Sequence, residues 1–142
     1  IGQGLTGISW NNDIDDKNKI FIKNIFENSG KVFELSEDYL DIFLALTSSA
    51  PAIIALIIDA LGDGVLSGGL TKKLSEELVI DMIIGTVLMM KDLDVSPSEL
   101  KNMVTSPAGT TIAALRILEK KGLRSALIES IIGAMNKSKE FR

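Results

Sequence analysis

The chain holds no cysteine and no histidine. Without Cys there is no disulfide, no thiolate nucleophile and no zinc cluster, and a reducing compartment is permitted. Without His there is no Ser-His-Asp or Cys-His pair, no facial metal triad and no side chain that titrates near neutrality unperturbed. Any chemistry must run on hydroxyls, carboxylates, lysines, backbone amides or a borrowed cofactor. Aromatics are scarce, at 5%, while Ile, Leu and Ala abound, which points to helices packed by aliphatic side chains. A basic excess is also missing: 15 Lys and Arg stand against 19 Asp and Glu, a net charge of −4. That argues against nucleic acid or an anionic membrane as partner, since nothing displaces counterions from phosphate. The opening IGQGLTGISW lacks the basic start and long apolar core of a signal peptide. It also lacks Met, so a piece of a longer polypeptide is expected.

What is present is an ordinary globular composition, 46% hydrophobic and 24% charged over 142 residues, about one domain with a real core. Residues 1–9 read as a glycine-spaced strand, and Asn11–Asp16 as a polar turn. Asp15 or Asp16 can cap a helix with Ile20, Phe21, Ile25 and Phe26 on one side, which Ser29-Gly30 stops. Lys31–Leu35 alternates as a short strand. Strand, helix, strand at this spacing is one parallel crossover unit. Two parallel strands do not stand alone in water, so this unit is expected to end a larger sheet.

From Ser36 the period is helical. Ser36 is expected to cap a helix through Leu46 carrying Tyr39, Leu40, Phe43 and Leu44, and Thr47–Pro51 to break it. A helix over 51–66 is apolar nearly all round, and a third, capped by Thr71, runs over 71–92 with apolar residues on more than one face. Ser96-Pro97 opens a short helix to Met103, and a helix to Lys120 and a final one to Lys139 follow. A helix that is hydrophobic all round must be surrounded by protein or lipid. The apolar run 52–61 is short for a bilayer and contains Asp59, and the second run contains Asp81. The expected cover is a second copy of the chain, in a homodimer centred on helices 51–66 and 71–92, with no membrane and no nucleic acid involved.

Three motifs are weighed against plainer readings. Gly2-Gln3-Gly4-Leu5-Thr6-Gly7 spells G-x-G-x-x-G, but a nucleotide loop needs a helix opening at its third Gly. Ile8–Asp13 does not open one, so the match is read as fortuitous. Asn11, Asp13, Asp15 and Asp16 lack the turn glycine and terminal Glu of a calcium loop, and no metal site is expected. Asp59, Asp63 and Asp81 in apolar helices are read as satisfying a helix end or an interface rather than as catalytic carboxylates. The informative stretch is Val104–Ile112, with several hydroxyls, small residues and unpaired amides at a helix start, a seat for a carboxylate or phosphate.

Thr105-Ser106-Pro107-Ala108-Gly109-Thr110-Thr111-Ile112-Ala113-Ala114-Leu115-Arg116-Ile117-Leu118-Glu119 resembles the signature of pyrroline-5-carboxylate reductases, approximately T/S-S-P-G-G-T/A-T-x-x-A-L-x-x-L-E. Ala45–Ala52 is similar to that family's A-L-S-G-S-G-P-A, Ala60–Asp63 to its A-L-A-D, and the similarity continues through Gly122-Leu123-Arg124. The opening I-G-x-G and the Gly30-Lys31-Val32 strand resemble the end of its Rossmann domain. The resemblance implies a mainly α fold: residues 1–35 as a terminal β-α-β remnant of a Rossmann-type sheet, and 36–142 as an all-helical dimerisation and substrate domain. It implies a cytoplasmic enzyme that reduces 1-pyrroline-5-carboxylate to L-proline. NADPH or NADH would be bound mainly by a further N-terminal domain, with no cofactor-binding residue here, and these residues alone are expected to be inactive.

By resemblance Val104, Ser106, Ala108, Gly109, Thr110 and Thr111 bind the substrate. Amides around Ser106, Gly109 and Thr110 hold its carboxylate, and the Thr111 hydroxyl contacts the ring as the catalytic group. The sequence departs from the family pattern at Ala108, at Ser48-Ser49-Ala50 and at Ile53. These departures keep a second reading in view, a reductase-like paralogue of the competence-operon type that serves as a dimeric interaction module.

Overall fold

The structure, a computed structural model, describes residues 1–140. It is mainly helical with one two-stranded parallel sheet, in the order β1 (Gly4–Ile8), α1 (Asp16–Glu27), β2 (Gly30–Glu34), a 3-10 turn (Glu37–Tyr39), α2 (Leu40–Leu44), a π turn (Ala45–Ser49), α3 (Ala50–Leu66), α4 (Lys72–Leu93), α5 (Pro97–Met103), α6 (Thr110–Lys120) and α7 (Leu123–Lys139). The chain divides into two compact units, one of residues 1–51 with the chain from Glu129 onward, the other Ala52–Ile128. The first unit thus runs on past residue 35.

In the first unit β1 and β2 pair in parallel from Gly4↔Gly30 to Ile8↔Glu34. The expected strand over 1–9 is shorter than predicted, because its first three residues have no partner strand. Asp15 caps α1 by accepting from the Asn18 amide at 2.8 Å. Phe43 of α2 lies over Gly7 of β1, where any Cβ would stand 2.9 Å from the ring, and the Phe33 ring is 6.0 Å away. At the far end of β2, Glu34 accepts from Trp10 Nε1 at 3.0 Å and from Lys23 Nζ at 2.6 Å. Lys23, then Trp10, hold the Glu34 carboxyl below its ordinary range. The unfolded chain therefore binds more protons as pH drops through the carboxylate range, and the stability carried by Glu34 is present above that range and lost below it. Trp10 is the lone tryptophan. Its emission is expected to shift to the red on acidification, and Glu34→Gln to show that shift at neutral pH with no further acid transition from this group.

Ile20, Phe21, Ile25 and Phe26, expected on one side of α1, are all exposed, while Ile22 and Lys23 turn inward. The expected cap at Ser36 is corrected: Ser36 sits at the head of the 3-10 turn without any side-chain capping bond. The expected break at 47–51 is corrected too. The helical path passes through the π turn, where Thr47 donates its hydroxyl to the Phe43 carbonyl at 2.8 Å and the Ala50 amide bonds Leu46 O. Pro51 has no N–H to offer the Thr47 carbonyl, and a widened turn accommodates that missing donor. The path is one 30-residue helical stretch, Glu37–Leu66, long and apolar enough by length and composition to cross a membrane.

In the second unit Ser75 and Val79 of α4 are buried, as is Gly62 of α3. Lys72 Nζ ties the two helices, meeting Asp59 at 2.8 Å, Asp63 at 2.9 Å and Glu76 at 3.4 Å. Asp59 and Asp63 are thus ion-paired, and Asp81 is exposed. Thr71 caps α4, and Ser96 and Glu99 form a complete capping box on α5 behind Pro97. Little else is covered. Along α4, Leu74, Leu78, Met82, Met89 and Leu93, at and beside the Ser75 and Val79 stripe, are exposed, as are Ile80, Ile84, Val87 and Leu88.

Candidate functional site

The stretch from Val104 to Thr111 joins α5 to α6, and local chemistry dictates its path. Val104 ends α5, its amide donating to Leu100 O at 3.1 Å. Thr105 donates its hydroxyl to Lys101 O at 2.6 Å and its amide to Asn102 O, so its polar groups serve the end of α5. Ser106-Pro107-Ala108-Gly109 then makes a tight turn closed by the Gly109 amide on Ser106 O at 3.1 Å. Pro107 fixes the first corner, and the second requires a positive φ, which Ala108 adopts at 58°. An alanine there carries left-handed strain that glycine would not, about 1 kcal/mol.

Gly109 is the N-cap of α6 and brings no side chain to it. The amides of Thr110, Thr111 and Ile112 therefore open the helix without a protein acceptor among the described residues, at the positive end of its dipole. The hydroxyls of Ser106, Thr110 and Thr111 likewise make no hydrogen bond among the described residues. Thr111 and Gly109 are half-buried, whereas Val104, Ser106, Ala108 and Thr110 are exposed. The structure thus gathers Ser106, Ala108, Gly109, Thr110 and Thr111 at one helix start. It commits the amides of Val104 and Gly109 to the protein itself. A cavity of about 350 Å³ adjoins this stretch and is lined by Thr105, Ile112 and Arg116 among others. Three open amides and free hydroxyls at one helix start can seat an anionic group such as a carboxylate.

The G-x-G-x-x-G match lies elsewhere and has the wrong geometry. Gly4 and Gly7 sit in strand β1 and no helix opens at Gly7, so these residues do not cradle a pyrophosphate. Asp15 of the polar turn is the cap of α1, and no group of three or more carboxylates among the described residues is arranged to hold a metal ion. Sequence reasoning missed the π turn, which puts Ser48 and Ser49 on a cavity of about 460 Å³ in the first unit together with Asp41 and Ser138. The one signal for it was a proline two residues into a helix that already follows helical periodicity.

Residues 37–141 match the family model described as pyrroline-5-carboxylate reductase dimerisation. The chain belongs to the pyrroline-5-carboxylate reductase family. Over 141 residues, 99% of this chain, it is 37% identical to the pyrroline-5-carboxylate reductase of Synechocystis and 33% identical to that of Glycine max, covering 53% and 52% of them. The pyrroline carboxylate reductase of Plasmodium falciparum, solved with NADP bound, superposes with a TM-score of 0.90 at 32% identity. The enzyme of Streptococcus pyogenes does so with a TM-score of 0.93 at 29% identity. Each superposition covers 98% of this chain, and 53% and 54% of the solved chains. The chain spans about half the length of the curated relatives it matches. The mainly α fold with its β-α-β opening is therefore shared with pyrroline-5-carboxylate reductases despite the departures at Ala108 and Ser48–Ala50.

Proposed function

We propose that these residues are the dimerisation and substrate-binding part of a pyrroline-5-carboxylate reductase, which reduces 1-pyrroline-5-carboxylate to L-proline in the cytoplasm. The open start of α6 carries this reading, because it offers amides and hydroxyls where the reductase signature lies. The substrate carboxylate rests on the Thr110, Thr111 and Ile112 amides with the Ser106 hydroxyl beside them. Val104 and Ala108 border the ring, and the Thr111 hydroxyl contacts it. NADPH or NADH supplies the hydride when bound. Gly2–Gly7 do not fit a pyrophosphate, so the cofactor is held mainly by residues beyond these, and this chain's part is to orient the imino acid and exclude water.

The same reading explains two uncovered surfaces. The exposed apolar residues of α1 and the free edges of a two-stranded parallel sheet fit residues 1–35 as the end of a Rossmann-type sheet. The uncovered flanks of α3 and α4 fit a homodimer interface. The chain exposes 10,835 Å², against about 7,100 Å² for a folded monomer of its 15.3 kDa. An interaction module without chemistry is the weaker reading, since the relatives named above are reductases throughout.

Thr111→Ala in the complete protein is the direct test. Loss of one hydrogen bond to a polarised substrate is expected to lower kcat/KM about 10- to 100-fold, with thermal unfolding and sedimentation unchanged. Unaltered kinetics would remove Thr111 from the site.

A further inference from the structure

We propose that Gly109 is a positioning residue that works through Ser106, its missing side chain being the space into which the Ser106 hydroxyl folds at the start of α6. The proposal rests on the substrate-binding reading of this segment given above. Three observations carry it. Gly109 has φ −75°, an ordinary backbone that any residue adopts, so conformational freedom does not call for glycine there. Its amide is already spent on Ser106 O at 3.1 Å, so close approach of a ligand to that amide does not call for it either. A Cβ at this position would instead stand 2.4 Å from Ser106 Oγ and 3.2 Å from Ser106 O.

The neighbouring residue sharpens the point. Ala108 has the positive φ that favours glycine and carries a methyl group, while Gly109 has a common φ and carries none. Space, not backbone conformation, is what position 109 requires. The hydroxyl that uses the space has no hydrogen-bond partner among the described residues and lies beside the N-cap of a helix whose first amides are open. A side chain at 109 turns that hydroxyl away from the carboxylate seat.

A double-mutant cycle in the complete protein separates this from a merely structural glycine. Ser106→Ala is expected to raise KM for pyrroline-5-carboxylate about tenfold with kcat little changed, as for loss of one hydrogen bond to a charged group. Gly109→Ala is expected to raise KM by the same factor, and the double variant to be no worse than either single. The double variant has its space restored, so it remains measurable even where Gly109→Ala folds poorly. In thermal unfolding, Gly109→Ala should move the midpoint little, with Ser106 retained or replaced, because the exposed Ser106 hydroxyl turns aside at small cost. KM effects that multiply in the double variant overturn the proposal, as does coupling in unfolding without coupling in KM. If neither single variant nor Thr111→Ala moves KM, the substrate-binding reading itself falls.

Discussion

Leu78→Glu with Met82→Glu is expected to turn a dimer at micromolar concentration into a monomer or a precipitate in sedimentation, while the parent chain sediments at twice its mass. Leu78 and Met82 lie one turn apart on the stripe that continues through Leu74, Met89 and Leu93, and each is about half exposed. Within the chain the stripe is left uncovered, although Ser75 and Val79 beside it are buried. Burying a side chain of this size is worth about 1.5–3 kcal/mol. Carboxylates at the same positions reverse that gain and add a desolvation cost of several kcal/mol each. Two substitutions should thus weaken association by more than a thousandfold. Glutamates placed instead at exposed Lys73 and Asp92 should leave the dimer intact. A parent chain that sediments as a monomer, or a double variant that still pairs, would end the interface assignment.

The legible parts of this fold are those in which one short stretch holds the whole cause. Ser96-Pro97-Ser98-Glu99 contains its own capping box, and the structure builds it with the Glu99 carboxylate on the Ser96 amide at 2.8 Å. Asp15 and Thr71 likewise cap helices from within their own sequence. Expectation fails where the cause is distant or competes with another. Thr47–Pro51 has every local mark of a break, yet apolar periodicity on both sides keeps the backbone helical and the conflict is absorbed as a π turn. On α1 the apolar residues expected on one side are exposed, because periodicity shows that a side is apolar but not what covers it. At the candidate site the helix start and its hydroxyls were visible in sequence. Which amides the turn consumes was not, because that depends on Ala108 taking a conformation its side chain disfavours.

Gly30→Ala is expected to cost about 3 kcal/mol or more and to abolish the pairing of β1 with β2, since steric overlap adds to a glycine-only backbone. Gly30 has φ +154°, and a Cβ on it would stand 2.0 Å from Gly4 O and 2.4 Å from Gly4 N, the residue opposite it in the ladder. Both obstructing atoms are backbone and hydrogen-bonding, so neither turns aside as a side chain does. Gly7→Ala in the same unit is the comparison. There the obstruction is the Phe43 ring at 2.9 Å and φ is unremarkable, so the ring tilts and the cost falls to about 1 kcal/mol. Denaturant midpoints give the two costs, and Trp10 emission reports whether the end of β2 is still in place, because its indole is bonded to Glu34. If Gly30→Ala proved no worse than Gly7→Ala, the strands would not be paired in the register Gly4↔Gly30. The reading of this unit as the close of a larger parallel sheet would then lose its structural basis.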